Sequence, residues 1–94
     1  MDIIHVEGTN KGDVFLYALS TCIWCKRTKR LLNELGVEYR YVDVDLCEGE
    51  EKASVKADLK KWNSDVTFPT IVIDDEKVLI NYQEEQVRRL LGND

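Results

Sequence analysis

Ser20-Thr21-Cys22-Ile23-Trp24-Cys25 decides how the rest of the chain is read. It follows Val14-Phe15-Leu16-Tyr17-Ala18-Leu19, a continuous apolar run of the kind expected for a strand buried on both faces. Ser20 and Thr21 are good helix N-cap types. A helix is predicted from about Ile23 to Leu35, and Gly36 is placed to end it. Leu31, Leu32 and Leu35 give that helix a core face, and Lys26, Arg27, Lys29 and Arg30 give it a wet one. Two thiols three positions apart at a helix start lie one turn from each other, on the same face. They can close into a small disulfide ring and open again. A Cys-x-x-Cys pair beside a strand–helix–strand pattern signals a dithiol redox site.

Working outward, Val37 to Asp45 alternates, with Val37, Tyr39, Tyr41 and Val42 apolar, and reads as the second strand. Strand–helix–strand requires a crossover and so a parallel pair. Glu48 to Trp62 reads as a second helix, with Ala53, Val55, Leu59 and Trp62 at roughly helical spacing, and Asn63-Ser64-Asp65 as a loop. Thr70–Ile73 and Lys77–Ile80 flank Asp74-Asp75-Glu76 and predict a hairpin. Glu84 to Leu91 predicts a last helix with Val87, Leu90 and Leu91 inward, and Gly92-Asn93-Asp94 should fray. In front, Ile3, Ile4 and Val6 can add an edge strand before the turn cluster Gly8-Thr9-Asn10-Lys11-Gly12. The expected order is β-α-β-α-β-β-α, an α/β fold, with residues 1–12 as an N-terminal extension or extra edge strand.

At 94 residues, one domain over 1–94 is the expectation. The net charge of -5 argues against nucleic acid as the main partner, because backbone binding needs a basic surface. The charge is uneven, however: the basic residues crowd behind the thiols, and Asp43, Asp45, Glu48, Glu50 and Glu51 form a later acidic stretch. Met1-Asp2-Ile3-Ile4-His5 has neither the basic start nor the apolar run of a signal peptide. No stretch approaches the roughly 20 apolar residues of a membrane span. A cytoplasmic monomer with no membrane contact is expected. Three cysteines, an odd number, favour catalytic or metal-binding thiols over a disulfide framework.

The attacking species in disulfide chemistry is the thiolate. A helix N-terminus offers Cys22 free N–H groups and partial positive charge, and Lys26 adds a full charge one turn on. Cys22 is therefore the candidate nucleophile. Cys25, a turn deeper, is suited to resolving a mixed disulfide. Trp24, between them, is read as an exposed flat surface for a partner, with core packing as the other reading. Pro69, the sole proline, follows Thr67-Phe68 and precedes a predicted strand. A trans proline opening a strand is one reading. A cis bond, which would turn the Phe68 backbone toward an extended substrate, is the other. Cys47 is read first as a small buried hydrophobe, then as an accessory redox thiol or a metal ligand. Cys22, Cys25, Cys47 and His5 match no common zinc-finger spacing, and no metal ligands are assigned.

In Phe15-Leu16-Tyr17, in Ser20 to Lys26, in Gly36-Val37-Glu38-Tyr39, in Val42-Asp43-Val44-Asp45 and in Thr67-Phe68-Pro69-Thr70, the chain resembles the glutaredoxins of the thioredoxin superfamily. The similarity spans about residues 13 to 91. It implies a four-stranded mixed sheet flanked by three helices, a cis Pro69, and dithiol–disulfide exchange with Cys22 attacking and Cys25 resolving. The implied substrates are disulfide-bearing proteins, met at Trp24, Lys26, Thr67, Phe68 and Pro69. No cofactor is implied beyond the redox-active Cys22–Cys25 disulfide. There are three departures. Ile23-Trp24 replaces the family's usual Pro-Tyr. Leu19 stands where a Lys commonly contacts glutathione. Ile80-Asn81-Tyr82-Gln83-Glu84 stands where Gly-Gly, a polar residue and Asp are usual. The last stretch is more similar to glutaredoxin-like redoxins served by a protein reductase, such as a thioredoxin reductase, than to members using glutathione. Glutathione remains the other candidate donor. The alternative function is a metal or iron–sulfur cluster module on the same scaffold.

Overall fold

A computed structural model describes residues 3–92. Met1 and Asp2 of the N-terminal segment, and Asn93 and Asp94, which were expected to fray, lie outside the described residues. Five strands and three helices follow one another: β1 (Ile3–Val6), β2 (Val14–Ala18), α1 (Ile23–Glu34), β3 (Tyr39–Asp43), a 3-10 turn (Val44–Leu46), α2 (Gly49–Trp62), β4 (Thr70–Ile73), β5 (Lys77–Ile80) and α3 (Glu84–Leu91). The fold is thioredoxin-like, and the sheet order is β1-β3-β2-β4-β5. β2 and β3 are parallel, as the intervening helix demands, and every other neighbouring pair is antiparallel. Ile3, Ile4 and Val6 do form the extra edge strand, with Ile4 opposite Tyr41, so the sheet has five strands rather than four.

The alternation of side chains across β2 and β4 divides the core into two layers. Val14, Leu16, Ala18, Ile71 and Ile73 pack with Leu31 and Leu32 of α1 and with Val87 and Leu91 of α3. Tyr17 and Val72 point the other way and pack with Val42, Val44, Cys47, and Val55 and Leu59 of α2. Helices therefore cover both faces, which is why β2 reads as an unbroken apolar run. Cys47 lies fully inside this second layer, as the first reading of it holds.

The local chemistry differs from expectation in four places. The N-cap of α1 is Cys22, while Ser20 and Thr21 lie before it, because the Cys22 sulfur itself accepts from the helix's first turn. β3 stops at Asp43, short of Asp45: Val44 stays buried, but the chain winds into a 3-10 turn that carries Asp45 toward Ser20. Ala53 of α2 is exposed, and the helix buries only Val55 and Leu59 fully. Lys29 leaves the wet face of α1. Its ammonium pairs with Asp43 at 2.9 Å and lies 4.1 Å from the Tyr41 ring.

Gly36 ends α1 as expected. It takes φ +66, donates to the Asn33 carbonyl, and lets Val37 donate to Leu32, so the open carbonyls of the last turn are satisfied. Gly8 is needed for a different reason. A Cβ there would lie 2.6 Å from the Gly36 carbonyl oxygen, where Thr9 bridges to Val37. In the hairpin, Asp74 and Asp75 both take positive φ, the turn handedness that matches strand twist.

Candidate active site

The parallel strands β2 and β3 end at the same edge of the sheet, and the loops that leave them meet there. Asp45 accepts the Ser20 backbone N–H at 2.8 Å and also the Ser20 hydroxyl. These two hydrogen bonds, hydroxyl first, hold the Asp45 carboxyl below its ordinary range. They anchor the loop just before the thiols.

Cys22 sits at the N-cap in extended backbone, φ -86 and ψ 119, and is half-buried. Its Sγ accepts the Cys25 backbone N–H at 3.1 Å. That N–H is one of the donors a helix start leaves without an internal partner. Negative charge on this sulfur would therefore be met by an oriented donor and the positive end of the helix. Cys25 lies beneath it with no exposure at all. Burial, then its hydrogen bond with Cys22, pushes the Cys25 thiol from an ordinary 9.0 up to about 12. The two sulfurs thus have unequal environments: one is at the surface beside a donor, and the other is dry and held protonated.

Trp24 is 49% exposed, as the partner-surface reading requires. Its ring has two neighbours: Tyr82 lies 5.4 Å away, centroid to centroid, and the Arg27 guanidinium 4.9 Å. Tyr82 arrives from the loop between β5 and α3, so the active-site helix and the distant chain end share one aromatic wall. The opposite wall is Phe68-Pro69, whose peptide bond is cis. Trp24, Phe68, Pro69, Asn81 and Tyr82 enclose an open cleft of about 330 Å³. Phe68, Cys22 and Tyr82 all rest on the same core layer.

Residues that were not singled out hold the proline wall in place. Asn63, expected in an ordinary loop, is buried at the end of α2. Its amide donates to the Thr67 hydroxyl at 2.8 Å and to the Thr70 hydroxyl at 3.1 Å, and its Oδ1 accepts the Asp65 N–H. The Thr70 hydroxyl donates in turn to the Thr67 carbonyl. Val66 takes φ +52, an uncommon position for a β-branched residue, just before Thr67-Phe68-Pro69. Asn81 donates its backbone N–H to the Pro69 carbonyl at 2.8 Å.

The expected site residues therefore divide. Trp24, Phe68 and Pro69 line one cleft, and Cys22 and Cys25, which are not among its lining residues, share with Phe68 the core layer on which it rests. Thr67 has its hydroxyl engaged by Asn63 and lies outside the cleft lining. Lys26 is exposed and faces a second hollow, between α1 and α3. Cys47 and His5 are elsewhere: Cys47 is buried near the Asp43 carbonyl, and His5 lies 3.3 Å from Glu38. Among the described residues, no three His, Cys, Asp or Glu side chains converge in a way that could hold a metal ion. No helix of the described residues is long and apolar enough to cross a membrane. Asn63 carried no local sequence signal, and Tyr82 stood out only as part of Ile80-Asn81-Tyr82-Gln83-Glu84, since the residues the two meet are set by tertiary packing.

Comparisons with known proteins agree with this geometry. The sequence profile described as Glutaredoxin matches residues 14–78. Methanoredoxin of Methanosarcina acetivorans is 45% identical in a structural match covering 92% of this chain and 90% of that one, with a TM-score of 0.88. The glutaredoxin of Methanosarcina mazei Go1 is 44% identical, covering 97% and 88%, also at 0.88. Among curated relatives, the rice chloroplastic Glutaredoxin-C4 is 34% identical over 68 residues, 71% of this chain and 49% of that protein. The chain spans about half to three-fifths of the length of the first curated relatives it matches. The profile, the relatives and the placement of Cys22 and Cys25 at a helix start agree: the chain belongs to the glutaredoxin family and carries that family's thiol–disulfide oxidoreductase fold.

Proposed function

We propose that this protein reduces disulfides of other proteins by dithiol exchange in the cytoplasm, acting as a monomer. Cys22 attacks one sulfur of the target disulfide. A bond forms between Cys22 Sγ and that sulfur, the target S–S bond breaks, and the departing target thiolate takes up a proton. Cys25 then attacks Cys22 Sγ. Its proton leaves, the Cys22–Cys25 disulfide forms, and the second target thiol is released. Two electrons have passed from the chain to the target. The single observation that carries this is the Cys22 sulfur accepting the Cys25 N–H at 3.1 Å, with the Cys25 thiol buried directly behind it. Trp24, Phe68 and Pro69 line the cleft beside the pair and would receive the target backbone, and Lys26 supplies positive charge one turn into the helix.

The proposed electron donor is a protein reductase of the thioredoxin-reductase type, with glutathione as the competing donor. Supporting the first, Leu19 stands where the family's glutathione-contacting Lys commonly stands, and Asn81-Tyr82 fills the place of its Gly-Gly. In the test, pre-reduced protein is mixed with a disulfide-bearing protein target. Cys22→Ser abolishes reduction. Cys25→Ser accumulates a covalent adduct visible as the summed mass, and a reducing agent releases it. Full activity in Cys22→Ser would overturn the assignment. Rapid, saturable reduction of the oxidised protein by glutathione alone would overturn the choice of donor.

A further inference from the structure

The larger of the two hollows near the thiols, about 520 Å³ and open to solvent, runs between α1 and α3. One stripe of α1 forms its wall: Ile23, Arg27, Arg30 and Glu34 recur at helical spacing, with Lys26 beside them. The charges here are not balanced. Arg88 of α3 is already matched, 2.9 Å from Glu84 and 3.7 Å from Glu34. Lys26, Arg27 and Arg30 meet no carboxylate among the described residues, although the chain as a whole carries -5. Lys29, the fourth cation of this segment, turns to Asp43 instead, so the surplus is confined to the groove. Tyr82 lines both this groove and the cleft beside the thiols, so the two adjoin at that ring. Ile23, 60% exposed, adds an apolar contact to the groove lining next to Cys22 in the chain.

The geometry points to this groove as the docking track for an acidic segment flanking the reacting cysteine of the protein target. From Ile23 to Arg30 the helix climbs roughly 10 Å, the reach of about three extended residues. A target whose cysteine lies at Cys22 would thus present its next few residues to the three cations. Such exposed charges act chiefly on the rate of encounter and on choice of partner, and they are screened by salt. The proposal rests on the exchange chemistry of Cys22 and Cys25.

The test uses pre-reduced full-length protein and two synthetic peptides. Each holds one cysteine in disulfide linkage to the same chromogenic aromatic thiol. One carries three Glu on either side of the cysteine, and the other three Gln. The second-order rate of chromophore release is read in a stopped-flow instrument. Wild type should prefer the acidic peptide by about tenfold at low salt, falling to about twofold or less at 0.5 M salt. Arg30→Glu should cut that ratio by at least about fivefold, and Arg30→Gln by an intermediate factor. Lys60→Glu changes the net charge by the same amount on exposed α2, and it should leave the ratio unchanged. Both positions are exposed, and a circular-dichroism melt confirms folding. Equal rates for the two peptides, or a ratio that Arg30→Glu does not move, would overturn the docking track. Release from neither peptide would overturn the exchange chemistry itself.

Discussion

The two ends of the sheet are built from the same strands and differ in what they leave open. At the far end, where β2 begins and β4 ends, polar groups pair with one another. Asp74 donates its N–H to the Asp13 carbonyl, Asp13 donates back to the Asp74 carboxylate, and Arg40 lies 2.8 Å from Asp13. At the near end, the polar network supports the loops from behind, through Asp45 and Asn63. The outward surface is Trp24 with the half-buried Cys22 and Phe68, while Pro69, joined to Phe68 by a cis bond, is buried. Left-handed backbone shows the same contrast. At the far end it falls on Asp74 and Asp75, residues that tolerate it in turns. At the near end it falls on Asn81, which tolerates it too, and on Val66, which does not tolerate it easily and is held there by its neighbours. One end closes the sheet, and the other holds reactive groups in place.

Alkaline pH should produce the largest change, and it reaches both ends. Burial raises Cys25 at the near end and Tyr39 at the far end to about 12, and it does the same to Tyr17 between them. A raised value means the folded state holds its proton more tightly than the unfolded chain does. The stabilisation is therefore complete below the ordinary values of 9.0 and 10.0 and is lost as pH climbs toward about 12. Denaturant melts between pH 7 and 11 should show stability falling steadily above pH 9. Cys25→Ala should delay the onset of that fall. A flat curve to pH 11 would contradict the burial of these groups. Native-state alkylation sharpens the contrast between the thiols: Cys22 should be modified while Cys25 stays protected.

Next in size is the loss of Asn63. Asn63→Ala leaves the hydroxyls of Thr67 and Thr70 without their buried donor, at a cost of roughly 2–3 kcal/mol. Because Thr67 leads into the proline wall, turnover of a protein disulfide by the fully folded variant should also drop several-fold. Asp74→Ala removes the carboxylate that accepts the Asp13 N–H at the far end and puts Ala at a positive φ, and it should lower stability while sparing turnover. Urea melts paired with activity at low temperature separate the two. If both variants lose activity equally, the ends do not differ in the way described.

How much of this was visible in the sequence follows from the range of the interactions. β2, α1 and the β4–β5 hairpin were legible because their signals are local: an apolar run, a Leu stripe closed by Gly36, and two short runs around Asp74-Asp75. Cys22 and Cys25 were legible for the same reason. The sulfur acting as N-cap was not, since Ser20 and Thr21 satisfy the local rule equally well and only the path of the chain decides. The end of β3 was missed because Val44-Asp45-Leu46 continues the alternation, and the competing pull comes from Ser20, 25 positions away. Asn63 reads as loop because its burial depends on where Thr67 and Thr70 fold back. Tyr82 and Trp24 lie far apart in sequence, so no window holds both. Lys29 shares a charged run with Lys26, Arg27 and Arg30, and only the proximity of β3 sets it apart.

Gly8→Ala tests the far end alone, with a smaller effect. The new Cβ would lie 2.6 Å from the Gly36 carbonyl oxygen and 2.7 Å from the Val37 carbonyl carbon, both backbone atoms that cannot swing aside. Relieving the overlap should cost about 1–3 kcal/mol, in the range of small-to-large substitutions at packed sites. The Thr9–Val37 bridge should loosen, seen as faster amide exchange at Thr9 and Glu38, which bond across it. Turnover per folded molecule should stay at the wild-type level. A fall in turnover would mean that strain at the start of β3 travels along it to Asp45 and Ser20.

The smallest expected effect belongs to the Arg40–Asp13 pair. It is close at 2.8 Å, yet both side chains are nearly half exposed, at 45% and 49%. Pairs of this kind contribute about 0–1 kcal/mol, because solvent screens them and ordering two long side chains offsets the attraction. Lys29 and Asp43 form a pair of nearly equal length, 2.9 Å, at the other end of β3, but with exposures of only 20% and 11%. Removing one partner there strands a shielded charge. Arg40→Gln should therefore shift stability by no more than about 0.5 kcal/mol, and 0.5 M salt should erase the shift. Lys29→Gln should cost more and respond less to salt. Equal costs would mean that burial does not separate the two ion pairs, and that the near end owes nothing to the shelter of its charged groups.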